Sequence, residues 1–181
     1  MNQSIKIDEA VLARMIDRQM IWDCLLRYTR GVDRMDLDLV RSAFWEDAAN
    51  THGPANGSVE DFIAGWLPAQ DLRDLSFHMV SNQSVEIDGD FANCEAYFMA
   101  AIKLKVENRI EMVGGRYVDL YEKRQGEWRI KTRLLLLDWQ GLMDASEMKE
   151  RLAQRHQGSR DRNDPSYERP LRPREAIKTA W

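Results

Sequence analysis

Histidine and cysteine are scarce in this chain of 181 residues, which has three histidines (His52, His78 and His156) and two cysteines (Cys24 and Cys94). Two isolated cysteines without CxxC spacing rule out a disulfide framework and fit a reducing compartment, so a cytoplasmic location is expected. Three scattered histidines, none at i,i+4 helical spacing, supply no ligand cluster, and no metal is expected. Basic charge is also short: a net charge of −4 and a pI near 5.5 argue against a nucleic-acid binder, which carries a positive field. No apolar run approaches the roughly 18 residues that cross a bilayer. The start, Met-Asn-Gln-Ser-Ile-Lys-Ile-Asp-Glu, is no basic-then-apolar leader. Glycine-rich phosphate loop, nucleophile elbow, Cys–His pair and internal repeat are all missing.

What remains is the composition of a single soluble domain, 44% hydrophobic and 31% charged, long enough for a substantial core. From Asp8 to Tyr28, apolar residues recur every three to four positions (Val11, Leu12, Met15, Ile16, Met20, Ile21, Trp22, Leu25, Leu26), predicting a helix with one broad buried face. Gly31 is expected to end it, and Asp36 to cap a short second helix from Leu37 to Phe44 or Trp45. Ala48 to His52 suits a short strand. Ser58-Val-Glu-Asp61 opens a third helix, Val59 to Leu67, which Pro68 stops.

Strands then take over. Phe77 to Asp88 and Phe91 to Val106 flank the turn Asp88-Gly89-Asp90, and Ile110 to Lys123 and Glu127 to Trp139 flank Arg124-Gln-Gly126. Gly114-Gly115 marks a bend or bulge in these long strands. Ala145 to Arg155 is expected to be a helix and Gly158 to Arg174 a polar surface tail. Helices followed by a long antiparallel sheet make an α+β domain, its helices lying across a concave sheet face that forms a small-molecule pocket.

Asp33 follows the Gly31 break, and His78 lies within a patterned strand. If the first helix crosses the sheet, the two can meet. A carboxylate on one imidazole nitrogen leaves the other as a general base. The plainer readings stand beside this one: His78 as a satisfied core histidine, Asp33 as a turn cap, Tyr28 as core and Arg133 as a surface cation. Asn82 serves either a backbone bulge or a ligand, and His52 either the pocket mouth or solvent. Trp45, Trp22, Trp66 and Trp139 form either pocket wall or aromatic core.

The segments Arg27-Tyr28-x-x-Gly31-Val32-Asp33 and Phe44-Trp45-x-Asp47-Ala48 resemble the SnoaL-like group of the nuclear transport factor 2 superfamily. So do His78-x-x-x-Asn82, Asp88-Gly89-Asp90-x-Ala92 and Gly126-Glu-Trp128-Arg-Ile130. By motif the chain is most similar to the scytalone dehydratases, hexachlorocyclohexane dehydrochlorinases and bile-acid 7α-dehydratases. The resemblance implies a cone-shaped barrel of the cystatin-like kind, covering residues 1–142 and leaving 143–181 as a C-terminal helix and tail over the pocket or a neighbouring subunit. It also implies elimination without a cofactor, by a His–Asp dyad, on a small, apolar, cyclic molecule. His78 then matches the base and Asp33 its carboxylate. Tyr28 matches a tyrosine of the bile-acid enzymes, and Arg133 an arginine of the dehydrochlorinases. Asn82, Trp45, His52 and Phe98 are the expected substrate contacts.

The chain departs from the dehydratase pattern in having no second histidine between 79 and 155. Arg133 also has opposite strand parity to Trp128 and Ile130, so all three face inward only across a bulge. Isomerase or polyketide-cyclase chemistry, and a non-catalytic binding or dioxygenase small-subunit role, remain the alternatives within the superfamily. The later strands are apolar on both faces, more than one helical layer covers. A homo-oligomer is therefore expected, and the resemblance favours a trimer over a dimer.

Overall fold

The computed structural model describes residues 8–53, 55–106, 108–146 and 155–175. Helix α1, Glu9–Arg34, begins at Asp8, whose side chain accepts from the Ala10 N–H. It does not stop at Gly31 as its sequence suggests but runs on to Met35, which takes the left-handed conformation at φ 53°. Gly31 has a different purpose. A Cβ there would lie 2.8 Å from both the backbone N and the Cγ2 of Val40, so the glycine lets helix α2, Leu37–Ser42, cross close against α1. Asp36 caps α2 and is buried, and Asp33 falls in the last turn of α1 rather than beyond it.

Strand β1, Phe44–His52, and the short β2, Ala55–Gly57, precede helix α3, Val59–Trp66. A reciprocal capping box between Ser58 and Asp61 starts α3, and a 3₁₀ turn, Leu67–Leu72, follows at Pro68. Four long strands complete the domain: β3, Arg73–Asp88; β4, Phe91–Leu104; β5, Arg109–Arg124; and β6, Glu127–Asp144. The six strands form one sheet in the order β2-β1-β6-β5-β4-β3, antiparallel except where β1 runs parallel to β6. The sheet curves but does not close; β2 and β3 are its edges.

Two bulges shape it. Between Gly114 and Gly115 the β5–β6 register slips by one, leaving Asp138 extra on β6. Neither glycine has room for a side chain, because the Trp139 ring lies on one and the Leu136 carbonyl on the other. The second slip, between Leu120 and Tyr121, leaves Lys131 extra. It lets Trp128, Ile130 and Arg133 all point into the core, which simple alternation forbids.

The core lies between the concave sheet face and α1, where Ile21, Cys24, Leu25 and Tyr28 pack on Ala96, Phe98, Tyr117, Tyr121, Trp128 and Ile130. Each fully buried large apolar side chain there contributes about 1.5–3 kcal/mol. The expected buried face of α1 is realised only in its later turns. Val11, Leu12, Met15 and Ile16 are exposed, because the helix reaches the sheet only where Asp17 accepts from the Trp128 indole and Lys123.

The predicted helix from Ala145 lies largely outside the described residues. The polar tail does not hang free: residues 159–167 dock on the C-terminal end of α1. Asp164 is buried beside Arg34, Tyr167 donates to Asp36 at 2.9 Å, and Arg30 lies over the Tyr167 ring. Charge-assisted bonds rather than apolar contacts hold it.

Alanine at position 31 would normally favour a helix by up to about 1 kcal/mol. Here the clash with Val40 reverses the sign, and Gly31→Ala is expected to cost about 1–3 kcal/mol, read as a lower urea midpoint with an unchanged slope.

A candidate active site under the first helix

The end of α1 crosses β3 so that Asp33 faces His78. One carboxylate oxygen, Oδ1, sits 2.6 Å from His78 Nδ1 and accepts from the Ser76 hydroxyl at 3.0 Å. The other, Oδ2, accepts from the His78 backbone N–H at 2.9 Å. The carboxylate is thus fixed by three contacts to one strand. With Nδ1–H donated to Asp33, the His78 ring has Nε2 left for a ligand. Both side chains are largely shielded from solvent.

His78 lines a cavity of about 290 Å³ between the sheet, α1 and α3. Its walls are mainly apolar: Val32, Phe62, Trp66, Phe98, Ala100, Ile102, Val113 and Leu135. Tyr28, Tyr117, His52, Ser76 and Gln70 interrupt them with polar atoms, and Arg73, Glu111 and Gln140 form a polar group in which Gln140 donates to Glu111 at 2.8 Å. A few polar groups in an apolar hollow orient a small ligand.

Beneath the cavity lies Arg133, fully buried. It makes two bonds to Asp119, at 2.8 and 2.6 Å, and its guanidinium lies 4.2 Å from the ring centroids of both Tyr28 and Tyr117. Burial works against its charge, but Asp119 outweighs burial and holds the guanidinium protonated. Burial also raises the pKa of both tyrosines, keeping their hydroxyls protonated. Arg133 Nη1 is covered and has no partner among the described residues.

Of the residues singled out from sequence, His78, Tyr28, His52 and Phe98 line the cavity, with Asp33 directly behind His78. Three others are placed elsewhere. Trp45 alternates with the inward Phe44, so it points out of the core; its indole donates to the Glu122 carbonyl and lies between Arg124 and Arg129. Asn82 sits four residues along β3 from His78, about 13 Å at strand spacing. It occupies the β3–β4 register slip with φ 47° and is exposed. Arg133 is not among the residues that line the cavity; its guanidinium lies against the two tyrosine rings that do.

Sequence reasoning missed Ser76, Tyr117, Asp119, Gln70 and Arg160. Ser76 carries the signal of period two, sharing a strand face with His78. Asp119 stands directly opposite Arg133 in the β5–β6 register, but only after the Lys131 bulge is known. Arg160, from the tail, donates to Gln70 Oε1 at 2.8 Å and to the Val32 carbonyl, bracing the cavity wall from outside.

His52 sits on β1, its ring 4.7 Å from Phe62. Burial first, then the charges of Arg133, His78 and Arg73, push its pKa down from 6.5 to about 3. Between those values the unfolded chain holds the extra proton, so this group makes stability rise with pH. Its contribution is complete above pH 6.5 and is lost as pH falls towards 3. His52→Phe is therefore expected to lose less stability than the natural chain between about pH 7 and 4.5, measured by urea unfolding at each pH.

The comparisons with known proteins bear on the fold and the family. The SnoaL-like domain matches residues 13–134. A crystal structure of a hexachlorocyclohexane dehydrochlorinase (LinA, type 2) superposes with TM-score 0.66 at 20% identity, covering 73% of this chain and 92% of the other. A Novosphingobium aromaticivorans protein assigned as a scytalone dehydratase gives 0.66 at 18%, covering 71% and 88%. A Nostoc punctiforme protein of unknown function with a cystatin-like fold gives 0.58 at 19%, covering 68% and 92%. No curated protein matches the sequence. These likenesses establish the fold, and the span of the domain match establishes the family: the chain belongs to the SnoaL-like group, on an α+β, cystatin-like fold.

Proposed function

We propose that this chain is a cofactor-independent lyase that eliminates a small leaving group from an apolar, cyclic substrate. The observation that carries the reading is the 2.6 Å contact between Asp33 and His78 at the wall of a mainly apolar cavity. Neighbouring solved structures named as a dehydrochlorinase and a dehydratase add support at the level of fold. His78 Nε2 takes a proton from a carbon, and the C–H pair becomes the new C=C bond. The electrons of the adjacent carbon–oxygen or carbon–halogen bond leave with the departing group. Asp33 holds the imidazole in the right tautomer and stabilises the imidazolium. Tyr28, kept protonated by burial, donates a hydrogen bond to the departing group. Arg133 fixes Tyr28 and Tyr117 from below. Where the leaving group is hydroxide, the proton returned from His78 completes water.

Asp33→Asn preserves shape but removes the charge, and His78→Ala removes the base. Each is expected to lower kcat by about 10²–10⁴ on a cyclic alcohol that is turned over, with ligand affinity changed far less. Formation of the conjugated alkene, followed by ultraviolet absorbance, measures it. Undiminished turnover in both variants would remove the mechanism.

The outer face of the sheet supports self-association as the working state. Phe77, Met79, Tyr97, Met99 and Trp139 are all at least 36% exposed there and form one apolar surface, the kind that marks an interface. The chain is accordingly expected to assemble as a homo-oligomer, a trimer before a dimer. Light scattering at micromolar concentration should give a multiple of the 21.1 kDa chain mass; a monomer mass refutes it. No helix among the described residues is long and apolar enough to cross a membrane.

A further inference from the structure

His52 has no place in the elimination step, yet it is the most unusual polar group in the cavity. Its ring lies against Phe62, which Trp66 in turn stacks upon. Nδ1 is covered and has no hydrogen-bond partner among the described residues. Burial first, and then Arg133, His78 and Arg73, all cationic when protonated, keep the imidazole neutral across the physiological range. A neutral imidazole carries one N–H and one lone pair. At Nδ1 that capacity is withdrawn from solvent without a hydrogen-bond partner, a cost that phenylalanine in the same wall would not carry.

We infer that His52 is a specificity-determining residue, a hydrogen-bonding post for an uncharged hydroxyl on a cyclic ligand whose ring occupies the apolar part of the cavity. A hydroxyl both donates and accepts, so it meets either imidazole tautomer. A neutral imidazole adds no ionic attraction for a carboxylate or phosphate, and the ligand class is accordingly an uncharged alicyclic or aromatic alcohol. Because His52 lies on β1 and His78 on β3, the hydroxyl that His52 holds is reached from a different wall from the carbon that His78 would deprotonate. The ligand is thereby oriented by two histidines in unlike surroundings, one backed by a carboxylate and one by a phenyl ring. The inference rests on the cavity being the substrate site, but not on any particular reaction within it.

Two probes of one skeleton test it: 1,2,3,4-tetrahydro-2-naphthol and tetralin, which lacks the hydroxyl. Binding is followed by quenching of tryptophan fluorescence, Trp66 being in the wall. The natural chain is expected to bind the alcohol about five- to tenfold more tightly than the hydrocarbon, the size of one neutral hydrogen bond. In His52→Phe, tetralin affinity should be kept and the preference should fall to about one. Asp33→Asn should keep the preference. Nitrogen-15 spectra of the natural chain guard against misfolding of a variant: the His52 nitrogens should shift with the alcohol and stay put with tetralin. A preference that survives in His52→Phe, or His52 resonances indifferent to the alcohol, overturns the inference. Absence of turnover with any compound would count against the lyase alone, since every readout here is equilibrium binding.

Discussion

The Asp33 carboxylate ties the first helix to the sheet, and much else in the molecule is arranged to make that tie possible. Three contacts to β3, from the Ser76 hydroxyl, the His78 amide and the His78 ring, fix both of its oxygens. A carboxylate satisfied in this way is oriented before any ligand arrives, which lowers the reorganisation needed in a transition state. Holding it there requires α1 to continue past Gly31, and Gly31 must be bare for α2 to turn back beneath the helix end. Asp36 then caps α2 and receives Tyr167 and Arg162 from the tail. The same few residues thus set the helix stop, the return of the chain and the docking of the C-terminal segment.

A second constraint lies under the cavity. An arginine with no solvent exposure is tolerated only if its charge is matched, and Asp119 matches it across the β5–β6 register. Removing one partner of such a pair costs about 3–5 kcal/mol, whereas replacing both with well-packed apolar residues is often neutral. The pair is therefore poor evidence of stability and better evidence of function. It fixes two tyrosines by stacking and supplies positive charge below their hydroxyls. That Arg133 reaches the core at all depends on the Lys131 bulge, one extra residue that changes which side chains share a face.

The sequence showed the order of elements well, because the two long hairpins turn at Gly89 and Gly126 and each helix begins at a capping acid or serine. It also showed Asp33 and His78, through the motifs around them. Its failures have physical causes. Helix propensity places a stop at glycine, but close packing against Val40 is a tertiary requirement with no local signature. Strand alternation left Arg133 facing inward only across a bulge, and where that bulge falls, at Lys131, cannot be counted before the register is known. Trp45 looked like pocket wall because it is aromatic, although its neighbour Phe44 had already taken the inward side. The tail resembled a solvated stretch because charge-assisted bonds to a helix end leave no apolar pattern to see.

The two cavity histidines show how far environment decides what one residue type does. His78 has a carboxylate on one nitrogen, so a proton arriving on the other meets a compensating charge. His52 has an apolar ring beside it, and cationic groups are what act on it electrostatically, so a proton arriving there meets only desolvation and repulsion. The first environment suits a group that must carry a proton briefly, and the second suits one that must never carry an extra one. Exchanging the two imidazoles would change nothing, because the division resides in Asp33 and Phe62 rather than in the imidazoles. A lone histidine in a sequence therefore says little about proton transfer until the groups packed against it are known.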